Sequence, residues 1–129
     1  MRILLIDDDP GITENLALYL EDGFHTVETL NYLSSLDDLG GTLQDFRPEG
    51  VVLDFDMAPS GPEIYRWIRK WREDVPIVFY TQYAEKPSVR KEMLDLGIAE
   101  DGILTKRDAA WDVPDLVRNL RRNAYVETC

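Results

Sequence analysis

Four separate stretches of the chain deliver residues capable of chemistry to the same kind of place. Asp7 and Asp8 follow the apolar run Ile3-Leu4-Leu5-Ile6, and Asp54 follows Val51-Val52-Leu53. Thr81 follows Ile77-Val78-Phe79-Tyr80, and Lys106 comes just after Ile103-Leu104. Each reads as the carboxyl end of a strand, and open α/β sheets bind ligands outside those ends, near the switch point in strand order. With a strand order of 2-1-3-4-5 the first and third strands are neighbours, and Asp7, Asp8 and Asp54 crowd into one cleft. Carboxylates that close repel one another and raise one another's pKa unless a cation intervenes. Magnesium suits such a donor set: it prefers oxygen ligands, takes one or two carboxylates and keeps waters that a phosphate oxygen can replace.

The elements that must position these residues alternate strictly. Five short apolar or β-branched runs are separated by segments of helical spacing, the pattern of β-α units around a parallel sheet. After the first strand, Asp9 and Pro10 read as N-cap and first helical residue, Ile12, Leu16, Tyr19 and Leu20 share a face, and Gly23 closes the helix. Phe24 to Thr29 is an extended edge strand on the strength of Val27 and its threonines. Leu33, Leu36, Leu39, Leu43 and Phe46 define a second helix, with a break expected at Gly40-Gly41. Ile64, Trp67, Ile68 and Trp71 form the third helical stripe, and the two tryptophans read as packing. A fourth helix runs from about Pro87 to Leu96 with Gly97 as its stop. The fifth is expected to be capped by Asp112 and to bury Val113, Leu116, Val117 and Leu120. The expectation is one α/β domain with a five-stranded parallel sheet and five helices.

Charge and composition narrow the function. The chain has 129 residues, with 14 Lys plus Arg against 25 Asp plus Glu, a formal charge of −11. A chain this acidic is repelled by nucleic-acid phosphates and anionic membranes, so direct contact with either is not expected. No apolar run approaches the roughly 20 residues that span a bilayer. Met1-Arg2 leads directly into a strand without the features of a signal peptide, and a single cysteine, Cys129, suits a reducing cytoplasm. The single histidine, His25, excludes multi-histidine metal sites and is expected at the surface or half-buried, away from the acids. Arg118, Arg121 and Arg122 read as a solvated helix face, with a partner or dimer contact as the alternative.

Taken in order, Ile3-Leu4-Leu5-Ile6-Asp7-Asp8-Asp9-Pro10, Pro48-Glu49-Gly50-Val51-Val52-Leu53-Asp54, Pro76-Ile77-Val78-Phe79-Tyr80-Thr81 and Ile103-Leu104-Thr105-Lys106 resemble the receiver domain of two-component response regulators. The likeness extends to the single-domain chemotaxis regulator and covers residues 1–129 as one receiver domain. It implies the flavodoxin-like, doubly wound (βα)5 fold of order 2-1-3-4-5, the fold that serves as a general example of that order. It also implies that Asp54 accepts a phosphoryl group from a histidine kinase or phosphotransfer protein. Magnesium would be held by Asp8 directly, Asp7 through water, Asp54 and the backbone carbonyl of Asp56, while Lys106 and the Thr81 hydroxyl grip phosphoryl oxygens. Such a domain catalyses only its own phosphorylation and dephosphorylation. Its output is a changed surface on the fourth helix, fifth strand and fifth helix, read by a partner, by a missing output domain or in a dimer.

The chain departs from that pattern in places. Arg107 stands where the family usually has a proline in a cis peptide bond. A cis bond costs about 2.5–4 kcal/mol without proline, which favours a trans bond and a shifted loop and leaves the reach of Lys106 open. Ile103 occupies the usual aromatic switch position, Gln82 replaces a small residue beside Thr81, and Ala58 replaces a proline in a loop that looks one residue short. Asp56 adds negative charge near the acceptor and, with Tyr83, is expected to alter the lifetime of the phosphorylated form. Arg107, Gln82 and Ile103 keep alive a degenerate receiver that acts as a phosphorylation-independent binding module. A second alternative is a haloacid-dehalogenase-type phosphatase, whose nucleophile strand Val51-Val52-Leu53-Asp54-Phe55-Asp56 resembles. There the acids that hold metal follow the nucleophile, whereas here Asp7 and Asp8 precede it.

Overall fold

The computed structural model describes residues 1–128, with side chains described through residue 122, so Cys129 lies outside the described residues. Parallel strands require a crossover between them, and the chain supplies one each time. The order is β1 (Arg2–Ile6), α1 (Pro10–Asp22), β2 (Thr26–Leu30), α2 (Leu36–Phe46), β3 (Gly50–Leu53), α3 (Gly61–Trp71), β4 (Ile77–Thr81), α4 (Pro87–Asp95), a short 3-10 turn (Glu100–Gly102), β5 (Ile103–Thr105) and α5 (Ala109–Thr128). All strand pairs are parallel, and the sheet order is β2-β1-β3-β4-β5, as the sequence predicts.

Alternation along each strand divides the core into two layers. Ile3, Leu5, Val52, Val78 and Tyr80 pack with Leu16 and Leu20 of α1 and Leu116 and Leu120 of α5. Leu4, Ile6, Val51, Leu53, Ile77 and Phe79 face the opposite way, toward Leu39, Leu43, Ile64, Ile68 and Met93 of α2, α3 and α4. Trp67 and Trp71 are half-buried against this second layer, in the packing role expected of them. No helix among the described residues is long and apolar enough to cross a membrane.

Three local expectations are corrected. Helix α2 runs unbroken through Gly40 and Gly41, because Gly40 gives the Trp67 ring a place to lie: a Cβ there would sit 2.9 Å from Trp67 Cη2. Helix α5 begins at Ala109, so Asp112 is inside its first turn and does not cap it. The Asp108 side chain takes the capping role, its Oδ1 accepting the Ala110 N–H at 2.9 Å. The sequence has the look of a helix start at Asp112 because an acid, Asp115, follows it at capping-box spacing. His25 is buried rather than exposed or half-buried. Phe24 takes the left-handed conformation (φ 68°) and turns outward, 95 % exposed, while His25 turns in and meets the Met1 amino group 3.1 Å from its Nδ1. The exposed Arg118 and Arg122 pair with Asp115 and Asp101.

Candidate functional site

Register places the acids. Ile6 is paired with Leu53 in the β1–β3 ladder, so the next residues, Asp7 and Asp54, leave the sheet side by side. The Asp54 N–H continues the ladder by donating to the Ile6 carbonyl at 2.9 Å. Asp7, Asp8 and Asp54 can each offer a carboxylate oxygen within 4.8 Å of the others. Asp7 and Asp54 are buried, each about 5 % exposed, whereas Asp8 is exposed.

Lys106 reaches them. Its N–H donates to the Thr81 carbonyl at 3.0 Å, one step past the Thr81–Thr105 pairing, and its Nζ lies 2.6 Å from Asp7 Oδ2 and 3.3 Å from Asp54 Oδ1. The Lys106–Arg107 bond is trans, as expected, since the sole cis peptide among the described residues is Ala58-Pro59. A trans bond nonetheless leaves the lysine in place, which removes one of the three grounds for a degenerate module.

Thr81 and Asp56 stand apart from this group. Thr81 is fully buried, and its hydroxyl accepts the Tyr83 N–H at 3.2 Å, leaving its own hydrogen to donate. Asp56 is exposed and lines the same open cleft of about 390 Å³, together with Gln82 and Tyr83. Two residues at the site carried no signal in the sequence. Asn31, just after β2, donates through Nδ2 to the Asp7 carbonyl at 2.9 Å and to Thr13 Oγ1 at 2.7 Å. Together they tie the Asp7 turn to α1. An asparagine in a polar loop is too common to have marked this role.

Electrostatics follow from burial. Desolvation, and then the Asp7 charge, push the Asp54 carboxyl up to about 6 despite the pull of Lys106. Desolvation also raises Asp7, against the hydrogen bond from Lys106. Burial pulls the Lys106 ammonium down, but the Asp7 hydrogen bond and the charges of Asp54 and Asp7 outweigh it and leave its pKa above the ordinary value. Three carboxylates face one ammonium, so the donor set is short of positive charge and rich in hard oxygen atoms. Those are the properties that fit magnesium.

Sheet order, register and acid cluster together define a signalling domain of the receiver class. A family model described as response regulator receiver domain matches residues 3–118, and the chain belongs to that family, in which two-component systems carry their signals. It is 33% identical over 129 residues to the transcriptional activator protein ExaE of Pseudomonas putida, covering 98% of this chain and 58% of that protein. It is 32% identical over 123 residues to the response regulator MprA of Mycobacterium leprae, covering 95% of this chain and 51% of that one. The chain thus spans little more than half the length of these curated relatives. Among solved structures, the chemotaxis protein CheY4 of Vibrio cholerae superposes with a TM-score of 0.76 at 22% identity, over 94% of this chain and 96% of that one, a likeness of fold.

Proposed function

We propose that this domain, residues 1–129, takes a phosphoryl group onto Asp54 from a histidine kinase or phosphotransfer protein. The observation that carries the reading is the Asp54 carboxylate lying beside Asp7 and Asp8 with Lys106 Nζ 3.3 Å away, at an open cleft. Asp7, Asp8, Asp54 and the Asp56 backbone carbonyl would hold Mg2+, which when bound neutralises the acids and the transferred phosphoryl group. An Asp54 oxygen attacks the donor phosphorus, the phosphorus–nitrogen bond breaks, and its electron pair leaves with the histidine imidazole. Little covalent work falls to the protein in such a transfer, and positioning and charge do most of it. Lys106 keeps its ammonium beside the oxygen that attacks, and the Thr81 hydroxyl donates to a phosphoryl oxygen once it turns from Tyr83. No separate substrate is turned over.

The altered surface would be α4, β5 and α5, offered to an output partner, to an output domain elsewhere in a longer chain, or to a second copy. The relatives named as a transcriptional activator and a response regulator favour an output domain. With a net charge of −11, contact with DNA would fall to that domain rather than to this one. A cytoplasmic location suits a partner of this kind.

Incubation with Mg2+ and acetyl phosphate tests the reading by intact mass. The expected result is one phosphoryl adduct, absent in Asp54→Asn. Absence of the adduct together with no binding of beryllofluoride would leave a binding module, and steady hydrolysis of phosphomonoesters would leave the phosphatase.

A further inference from the structure

Asp112 is a charged side chain only 1 % exposed, with one partner, Arg107, five residues before it and the other, Tyr80, 32 residues before it. Its carboxylate is satisfied from three directions. Oδ2 accepts the Tyr80 hydroxyl from β4 and the Arg107 backbone N–H at 2.9 Å, and Oδ1 accepts Arg107 Nε at 3.2 Å. Tyr80 is itself buried, 2 % exposed, so the cluster is anchored in the core layer between the sheet and α5.

The backbone bond has a consequence for the residue before it. Lys106 is held on one side by its own N–H on the Thr81 carbonyl and on the other by the Arg107 N–H on Asp112. Two peptide groups are thereby fixed on either side of one Cα, and the side chain leaves that Cα toward Asp7 and Asp54. A proline at 107 would have no N–H to give and would leave a buried carboxylate short of a donor, which is costly. Arg107 and Asp112 therefore form a unit that fixes the turn by hydrogen bonding, where a cis proline would fix it by covalent geometry.

We propose that Asp112, through the Arg107 backbone and with Tyr80 as its support, is the positioning residue that sets Lys106 against the phosphoryl site. The inference rests on the phosphoacceptor reading of Asp54. Asp112 touches none of the reacting atoms, and its effect is exerted through Lys106 alone. Misplacing a catalytic group by about 1 Å can cost on the order of a hundredfold in rate.

The test is a double-mutant cycle on the full chain, read as the rate of phosphorylation by acetyl phosphate and the affinity for beryllofluoride in saturating Mg2+. Asp112→Ala is expected to slow phosphorylation about as much as Lys106→Ala does, on the order of tenfold or more. In the Lys106→Ala background it is expected to have no further effect. Mg2+ affinity, which depends on the acids, should stay within about twofold, a change too small to count as loss of a ligand. Asp112→Asn, which keeps a carbonyl oxygen for the Arg107 N–H, should recover most of the rate. If Asp112→Ala does not fold, the same cycle is run with Asp112→Asn and Tyr80→Phe, whose smaller losses must likewise vanish without Lys106.

Losses that multiply in the double variant, or a fall in Mg2+ affinity that matches the fall in rate, would overturn the proposal by making Asp112 a structural residue. A wild-type protein that neither takes up phosphoryl groups nor binds beryllofluoride would overturn the phosphoacceptor reading, and this inference with it. The two failures are thus distinguishable in the first sample measured.

Discussion

Replacing Asp54 with Asn should make the metal-free protein more stable at neutral and alkaline pH, although it removes half of an ion pair. Burial and the Asp7 charge lift the Asp54 pKa from 3.8 to about 6 in the fold, and the attraction of Lys106 is already contained in that figure. The native carboxyl thus holds its proton more tightly than the unfolded one. Its contribution to stability is complete below the unfolded pKa and is lost as pH rises through about 6. A shift of about two units corresponds to about 3 kcal/mol. Asparagine has the same shape and no proton to lose, so Asp54→Asn escapes that loss. Unfolding entropies near 2 cal/mol/K per residue translate 3 kcal/mol into about 10 °C for a chain of this size.

The assay is thermal unfolding of both proteins in EDTA across the range from about pH 3 to pH 8, bracketing the two pKa values. The variant should melt about 10 °C higher at the alkaline end and close to wild type at the acid end. Adding Mg2+ should narrow the gap, since an ion a hundredfold above its Kd stabilises the protein that binds it by about 2.7 kcal/mol. A variant no more stable than wild type at pH 8 in EDTA, or a gap that does not shrink toward pH 4, would refute the electrostatic account of the cleft.

Other consequences can be measured singly. Gly41→Ala adds a methyl group where nothing lies within 4 Å and should raise the urea midpoint by the equivalent of roughly 1 kcal/mol. Gly40→Ala, 2.9 Å from the Trp67 ring, should gain less or lose; equal gains would exclude the contact that explains the unbroken α2. Gly61→Ala would drive a Cβ against the Asp54 carbonyl oxygen and to 2.7 Å from the Phe55 Cα. It should cost about 1–3 kcal/mol in urea unfolding and slow phosphorylation of the displaced Asp54, and wild-type values of both would refute the close approach. Asp56→Asn removes an exposed carboxylate from the cleft rim and should lengthen the half-life of the phosphorylated form by about threefold or more, the result expected if that carboxylate takes a proton from an attacking water. Equal or shorter half-lives would sink that idea.

The parts of the site that could be read from sequence are those that local pattern controls. Asp7, Asp8 and Asp54 each end an apolar run, and once the sheet order is drawn their convergence follows from register. Lys106 was harder to place because Arg107 broke the expected turn, and the residue that restores it, Asp112 five positions on, is itself held by a distant partner. Asp112 acts on Tyr80, 32 positions away, and nothing in the spacing of its own helix distinguishes that carboxylate from a cap. Gly40 is a similar case: a glycine pair reads as a helix breaker until the ring of Trp67, from another helix, is seen to need the space. His25 turned inward because Phe24, not Gly23, took the left-handed conformation, a choice the local sequence argues against. The misreadings share a cause, a long-range contact that overrides a local preference.

The strand order has a consequence for how the chain comes into being. β1 and β3, which bear the three acids, lie next to each other in the sheet, while Lys106, the one cation lining their cleft among the described residues, follows the last strand. During synthesis from the N-terminus, a chain that has emerged only through β4 can already pair β1 with β3 and bring Asp7, Asp8 and Asp54 together without a counter-charge of its own. Repulsion among them then opposes the half-made sheet, until β5 arrives with the lysine and α5 closes the hydrophobic layer over β1, β3 and β4. The final segment thus supplies both the neutralising charge and the last apolar cover, and fragments that stop short of it are expected to stay open rather than settle into a stable partial fold.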